Sequence, residues 1–211
     1  MDLKPAPGSV LLPLKIVGTQ PLLLASSAGV LKQGDAGERL AELTKLRKRT
    51  EADEQEMRRL KYFFALYCDP KLGPYVPGYN LWVAVSRGAM LHKMGKNWER
   101  GGVVLTEKMV LEYDGPRDPV GLFEDPRFVD IRPARIFGRG MIEAVRPIFF
   151  QWNLKVVIAV NDAFVSLRDA KRAIEMAGLT EGLGTWRRRF GRFEVQFGES
   201  RVVQEDRAKA A

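Results

Sequence analysis

The run from Phe128 to Val160, FVDIRPARIFGRGMIEAVRPIFFQWNLKVVIAV, restricts the fold more than any other part of the chain. β-Branched and aromatic residues dominate it, and these side chains fit a pleated sheet better than a helix. The Gly138–Gly140 segment predicts a turn and Pro147 a bend, so the run reads as consecutive strands. Any fold assigned to this chain must therefore contain a sheet fed by its second half.

The other elements follow from periodicity and stop signals. VLLPLKIVG, from Val10, reads as a buried early strand interrupted near Pro13. From Ser26 to Thr44 the composition turns to Gly, Ser and mixed charge, and a loop insertion is expected near residues 26–45. TEADEQEMRRLKYFFALY reads as a helix with Thr50 as N-cap and Asp53 completing a capping box. Met57, Leu60 and Phe64 recur at helical spacing and predict its core face. GPYVPGYN breaks the chain. LWVAVSRGAMLHKM reads as a second helix, with a strand left open by Val83 and Val85.

GVVLTEKMVLEY predicts short strands, and DGPRDPVGLFEDP a Pro-rich excursion near residues 113–127. SLRDAKRAIEMAG predicts a helix capped by Ser166, with Asp169 three residues on, and stopped by Gly178. RFGRFEVQF closes as a strand, and the polar stretch 198–211 reads as a flexible tail. The strong elements run strand, helix, strand, strand, helix, strand. That is the split order of an α+β, ferredoxin-like or RNA-recognition-type βαββαβ core. A single domain over residues 1–197 is expected, with the second helix and the excursion as insertions before the central hairpin.

The chain of 211 residues carries a formal charge of +8, and its position matters more than its size. Residues 1–130 hold 19 Lys and Arg against 17 Asp and Glu, whereas residues 131–211 hold 15 against 9. A basic C-terminal part points to a polyanion, nucleic acid or an acidic membrane surface, and a basic protein kept soluble by its charge accounts for the composition equally well. No run of about 18 apolar residues is present, and the N-terminal region has no signal-peptide pattern, so no membrane is expected as a partner. Cys68 is the single cysteine, which excludes an internal disulfide and fits a reducing cytoplasm.

Within the basic part lies GLGTWRRRFGRF, Gly182 to Phe193. Glycines let a backbone approach a phosphate chain, arginines offer forked donors to phosphate oxygens, and aromatic rings offer faces to bases. Gly182, Gly184, Trp186, Arg187, Arg188, Arg189 and Gly191 are therefore candidate nucleic-acid-binding residues. The alternative is a Gly-terminated helix followed by an edge strand, and the alternation of Phe193, Val195 and Phe197 assigns those three to the core. A second cluster, Arg47, Lys48 and Arg49, precedes the helix capped by Thr50. Cations oppose the dipole at a helix N-terminus, so an anion shared there would account for them. A solvated run balanced by Glu51, Asp53, Glu54 and Glu56 accounts for them equally well.

The glycine, apolar residue, glycine, basic spacer and glycine of GLGTWRRRFGRF resemble the Gly-rich loop before the last strand in the repeat-associated mysterious protein (RAMP) superfamily of CRISPR systems. Phe193 stands where that pattern can carry a glycine. The resemblance extends over roughly Val10 to Phe197, is closer to the backbone subunit than to the processing nuclease, and matches residue by residue at Gly182, Gly184 and Gly191. The series YDGPRDP, EDPRFVD, RPIF and FGRF resembles proteins of phages and mobile elements. The resemblance implies a ferredoxin-like protein that oligomerises along single-stranded RNA or DNA.

Catalytic chemistry has little to build on. His92 is the single histidine and sits in a presumed helix, Cys68 precedes Asp69-Pro70, and metal-ligand spacing is absent. GLGTW lacks the Lys-Ser/Thr ending of a phosphate loop. Asp114 and Asp118 lie where aspartates favour turns beside Gly and Pro. The reading is therefore a non-enzyme without metal or cofactor, binding single-stranded nucleic acid as a homo-oligomer. The alternatives are a phage single-strand binding or annealing protein, a structural or assembly protein, and a processing ribonuclease using His92.

Overall fold

The computed structural model describes residues 4–26, 34–136 and 140–203. Along the chain these form β1 (Val10–Gly18), β2 (Leu22–Leu23), α1 (Asp35–Lys45), α2 (Glu51–Ala65), β3 (Cys68–Asp69) and β4 (Gly73–Pro77). Then follow α3 (Gly78–Met90), α4 (Gly95–Gly101), β5 (Gly102–Val104), β6 (Lys108–Val110), α5 (Pro119–Glu124) and β7 (Val129–Ile136). The series ends with β8 (Gly140–Phe149), β9 (Asn153–Val160), α6 (Leu167–Met176), β10 (Phe193–Phe197) and β11 (Arg201–Val202). The protein is mixed α+β with antiparallel sheets. Its chain divides into two compact units, one comprising Met1–Leu22, Tyr75–Tyr113 and Gln151–Ala211, the other Leu23–Pro74 and Asp114–Phe150.

The first unit is built on the sheet β10-β1-β9-β5, with β11 also paired to β1. Every pairing in it is antiparallel. Period-two burial of β1 puts Leu12, Leu14 and Ile16 on one face. Leu14 lies opposite Phe197 and Val156, and Ile16 opposite Val195 and Leu154, so these apolar residues share that face. Helices α3 and α6 contact each other and contribute Leu81, Ala84, Val85, Ala170, Ala173 and Ile174 to the core.

In the second unit, α2 packs on the hairpin β7–β8 and on α1. Tyr62 is fully buried, donates its hydroxyl to Phe128 O at 3.2 Å, and stacks at a tilt on Phe123 at 5.3 Å. Arg58 grips Glu143 with two hydrogen bonds of 3.0 and 2.8 Å.

Several expectations change. The 26–45 insertion contains a helix, α1, because Leu40 and Leu43 bury against the chain. The helix Glu51–Ala65 forms as expected with its Thr50–Asp53 capping box, but it belongs to the second unit. Its buried residue is Tyr62, while Met57, Leu60 and Phe64 are half-buried. The helix that packs on α6 is Gly78–Met90, which the sequence placed as an insertion. Of the long β run, β7 and β8 form a hairpin in the second unit while β9 enters the first unit's sheet, so this run is not one central hairpin. The turn expected at Gly138–Gly140 lies mostly outside the described residues.

The excursion holds α5, where Asp118 accepts from the Val120 and Gly121 amides. Gly178 does not end the last helix. A π-helical turn, Ala177–Glu181, carries it on to Gly182, and Gly178 is needed because a side chain there would overlap the Phe193 carbonyl. Part of the expected tail is ordered: Arg201 and Val202 pair with Leu11 and Val10. Residues 204–211 lie outside the described residues.

Candidate nucleic-acid interface

The Gly-rich loop follows from the way α6 ends. After the π-helical turn the Gly182 amide donates to Ala177 O at 2.9 Å, and Gly182 turns left-handed at φ 70°. The chain then runs back on itself. Leu183 N donates to Gly191 O at 2.9 Å, Gly191 N to Pro21 O at 2.8 Å, and Arg188 N to Glu181 O at 3.2 Å. Gly182 and Gly191 sit back to back: a Cβ on Gly182 would lie 2.8 Å from the Gly191 carbonyl carbon, and one on Gly191 would overlap the Leu183 carbonyl. These two glycines let one strand of the loop pass the other. Gly184 is left-handed at φ 76°.

The loop is pinned by apolar anchors and offers its cations outward. Leu183 is fully buried, and Phe190 and Phe193 are buried. Trp186 is half-buried, with its ring 6.2 Å from that of Phe190. Of the three rings in this stretch, Trp186 alone keeps substantial exposure. Arg188 and Arg189 are exposed, and Arg187 is half-buried. Trp186 and Arg188 are held at φ 51° and 73°, which costs a side-chain-bearing residue roughly 1–2 kcal/mol each.

The electrostatic centre is a residue outside the sequence prediction. Glu181 is 7% exposed, and its two carboxylate oxygens face Arg87 at 3.9 Å and Arg188 at 3.8 Å. Burial pushes the Arg187 guanidinium below the ordinary arginine range, Arg87 adds to that shift, and Glu181 opposes it. Two guanidinium groups thus face one carboxylate with a third, Arg187, in electrostatic range, and the surplus is positive. Arg192, one residue past the loop, has a buried Nε without a partner among the described residues. Arg87 lies on α3, a hundred residues upstream, and no local signal marks it.

The sheet face opposite the helices carries Pro13, Lys15, Val17, Lys155, Val157 and Gln196, with Arg201 opposite Leu11 and the acidic Glu194 opposite Val17. Lys15 lies directly opposite both Lys155 and Gln196, over a depression of about 450 Å³. Like charges placed opposite each other destabilise a sheet. Glu112 offsets one of them, 2.7 Å from Lys155 Nζ. These strand positions bear no aromatic ring, so this face offers cations without a stacking platform.

The second predicted cluster lies in the other unit and is put to another use. Arg49 turns back and donates to Leu43 O and Thr44 O, both at 2.9 Å, capping the C-terminus of α1. A cation there is favoured by the dipole of α1 rather than opposed by that of α2. At the α2 end, Thr50 and Asp53 bond each other's backbone amides. Arg47 and Lys48 remain exposed.

The catalytic candidates stay apart. His92 is half-buried, with Nε2 enclosed and unpartnered among the described residues. Asp118 is a helix cap, and burial pushes the Cys68 thiol upward. No group of three or more His, Cys, Asp or Glu among the described residues is placed to hold a metal ion. No described helix is long and apolar enough to cross a membrane. No model of a known protein family matches the chain, and no curated protein matches it.

Proposed function

We propose that this protein binds single-stranded nucleic acid with little sequence preference and oligomerises along the strand, as a binding protein rather than an enzyme. The observation that carries the reading is the cluster of Arg87, Arg187 and Arg188 around the single carboxylate of Glu181, with Arg189 exposed beside it. Guanidinium groups crowded this way repel one another, and phosphate oxygens would supply the missing counter-charge through forked hydrogen bonds. The first unit holds 18 Lys and Arg against 12 Asp and Glu, the second 16 against 14, so the cluster lies in the basic unit. Half-buried Trp186 offers one ring for a base. The cationic sheet face, with no rings, favours contacts to the backbone of the strand over readout of its bases.

The fold reading that accompanies this is ferredoxin-like. The connection β1, α3, β5, β9, α6, β10 and the antiparallel order β10-β1-β9-β5 support a split βαββαβ core, with the second unit as two insertions.

The test is titration of labelled single strands of RNA and DNA across salt concentrations. About three phosphate contacts, from Arg87, Arg187 and Arg188, give a log-log slope near −2 for single strands. Replacing Arg187 and Arg188 together by Ala lowers affinity by about 2–4 kcal/mol, each charge-assisted contact being worth about 1.5–3 kcal/mol before losses to solvent. Arg87→Ala shares part of that loss. A folded double variant with undiminished affinity makes the loop a purely structural turn.

A further inference from the structure

A cavity of about 460 Å³ lies within the first unit, at β5 and the start of α3. Its walls are apolar and aromatic: Pro77, Tyr79, Trp82 and Val103. Its charged groups are Glu99 and Glu107, and no Lys or Arg among the described residues lines it. In a unit with an excess of cations this is a local reversal of sign.

The walls are built to keep their shape. The Trp82 indole donates to Gly102 O at 2.9 Å, and the Trp98 indole donates to Trp82 O at 3.3 Å. Buried Ser86 donates to Glu99 Oε1 at 3.1 Å and orients that carboxylate. Tyr79 stacks on Trp82 at 5.8 Å and 14°, yet stays 69% exposed. A stacked aromatic face left in water beside two carboxylates is the chemistry that takes a flat organic cation. The ring quadrupole attracts the charge, and the carboxylates accept its hydrogen bonds.

We propose that this cavity receives Arg189 of a second copy of the chain, so that copies join head to tail. Arg189 is exposed and has no hydrogen bond or ion pair among the described residues, unlike Arg188, which faces Glu181. The two halves of the contact lie at opposite edges of one sheet. The loop leads into β10, and the cavity lies on β5. Complementary patches at opposite edges make a heterologous contact, which propagates instead of closing as a two-fold dimer. This rests on the oligomeric reading above and names its contact.

Sedimentation velocity, without nucleic acid and with a short oligothymidylate that spans a single site, tests it. Wild type is expected to form species larger than a dimer in at least one condition. The socket variant Tyr79→Ala/Glu107→Lys and the plug variant Arg189→Glu are each expected to stay monomeric. Their equimolar mixture has one intact plug and one intact socket per pair, so it stops at a one-to-one heterodimer. Tyr79→Phe keeps the ring and assembles as wild type. Normal circular dichroism melts confirm that the variants are folded. A socket variant that assembles like wild type, a mixture that stays monomeric, or a wild type monomeric under both conditions overturns the contact. Binding of a short oligothymidylate spanning one site separates the two readings. The socket variant binds it with wild-type affinity if nucleic-acid binding is right, and wild type fails to bind it if that reading alone is wrong.

Discussion

Gly191 shows how a glycine that suggests a ligand site also has a task inside the chain. Its left-handed φ and its contact with the Leu183 carbonyl leave no room for a side chain. Gly191→Ala is therefore expected to destabilise the protein by at least the roughly 1–2 kcal/mol of the left-handed conformation, with the overlap added. Thermal melting checks this, and an unchanged melting temperature would contradict the back-to-back packing. Arg188 sits in the same strained region but points outward. Arg188→Gly relieves that strain while giving the unfolded chain more freedom, and the two effects nearly offset within about 1 kcal/mol. It should melt near wild type yet bind single strands more weakly, which makes it a clean probe of the guanidinium.

Among the elements, the α1–α2 corner couples caps and charges. Arg49 closes α1, while Thr50 and Asp53 open α2. The Thr50 amide, then its side chain, hold the Asp53 carboxyl below the usual aspartate range. Hydrogen bonds from Arg58 do the same for Glu143, against some burial. A carboxyl whose folded-state pKa is depressed stabilises the fold above its unfolded value, and that contribution is lost as pH falls through the carboxylate range. The melting temperature is therefore expected to drop between about pH 5 and pH 3. Thr50→Ala/Glu143→Gln should melt lower at neutral pH and show a flatter dependence over that interval. A pH profile parallel to wild type would remove these two carboxyls from the account.

For the whole molecule, the Pro-rich excursion matters most. The segment read as an excursion places Leu122 at 0% exposure, and the Phe123 ring packs against those of Tyr62 and Phe63 within the second unit. Leu122→Ala is expected to cost about 2–4 kcal/mol, the range for emptying a buried leucine site. Denaturant unfolding measures it, and a cost under about 0.5 kcal/mol would return the excursion to solvent. Deleting the excursion would therefore damage the second unit's core as well as any contact the excursion makes.

Local chemistry in the sequence determined β1, the Thr50 and Ser166 caps, the strand-rich run after Phe128 and the closing strand β10, because each is set by periodicity or by a side chain three residues from its partner. The sequence also located the arginine-rich loop. Long-range contacts decided the rest. Which of two amphipathic helices joins α6 depends on close packing with α6, and periodicity is alike in both. Whether β8 continues into β9 in one sheet depends on partners far along the chain. Arg87 and Glu181 meet only because α3 packs on α6 and its π-helical turn, so the charge balance of the loop belongs to the fold and not to the segment. Arg49 looked like an anion ligand beside α2 until the corner turned it onto the carbonyls of α1, the nearer and oppositely signed helix end.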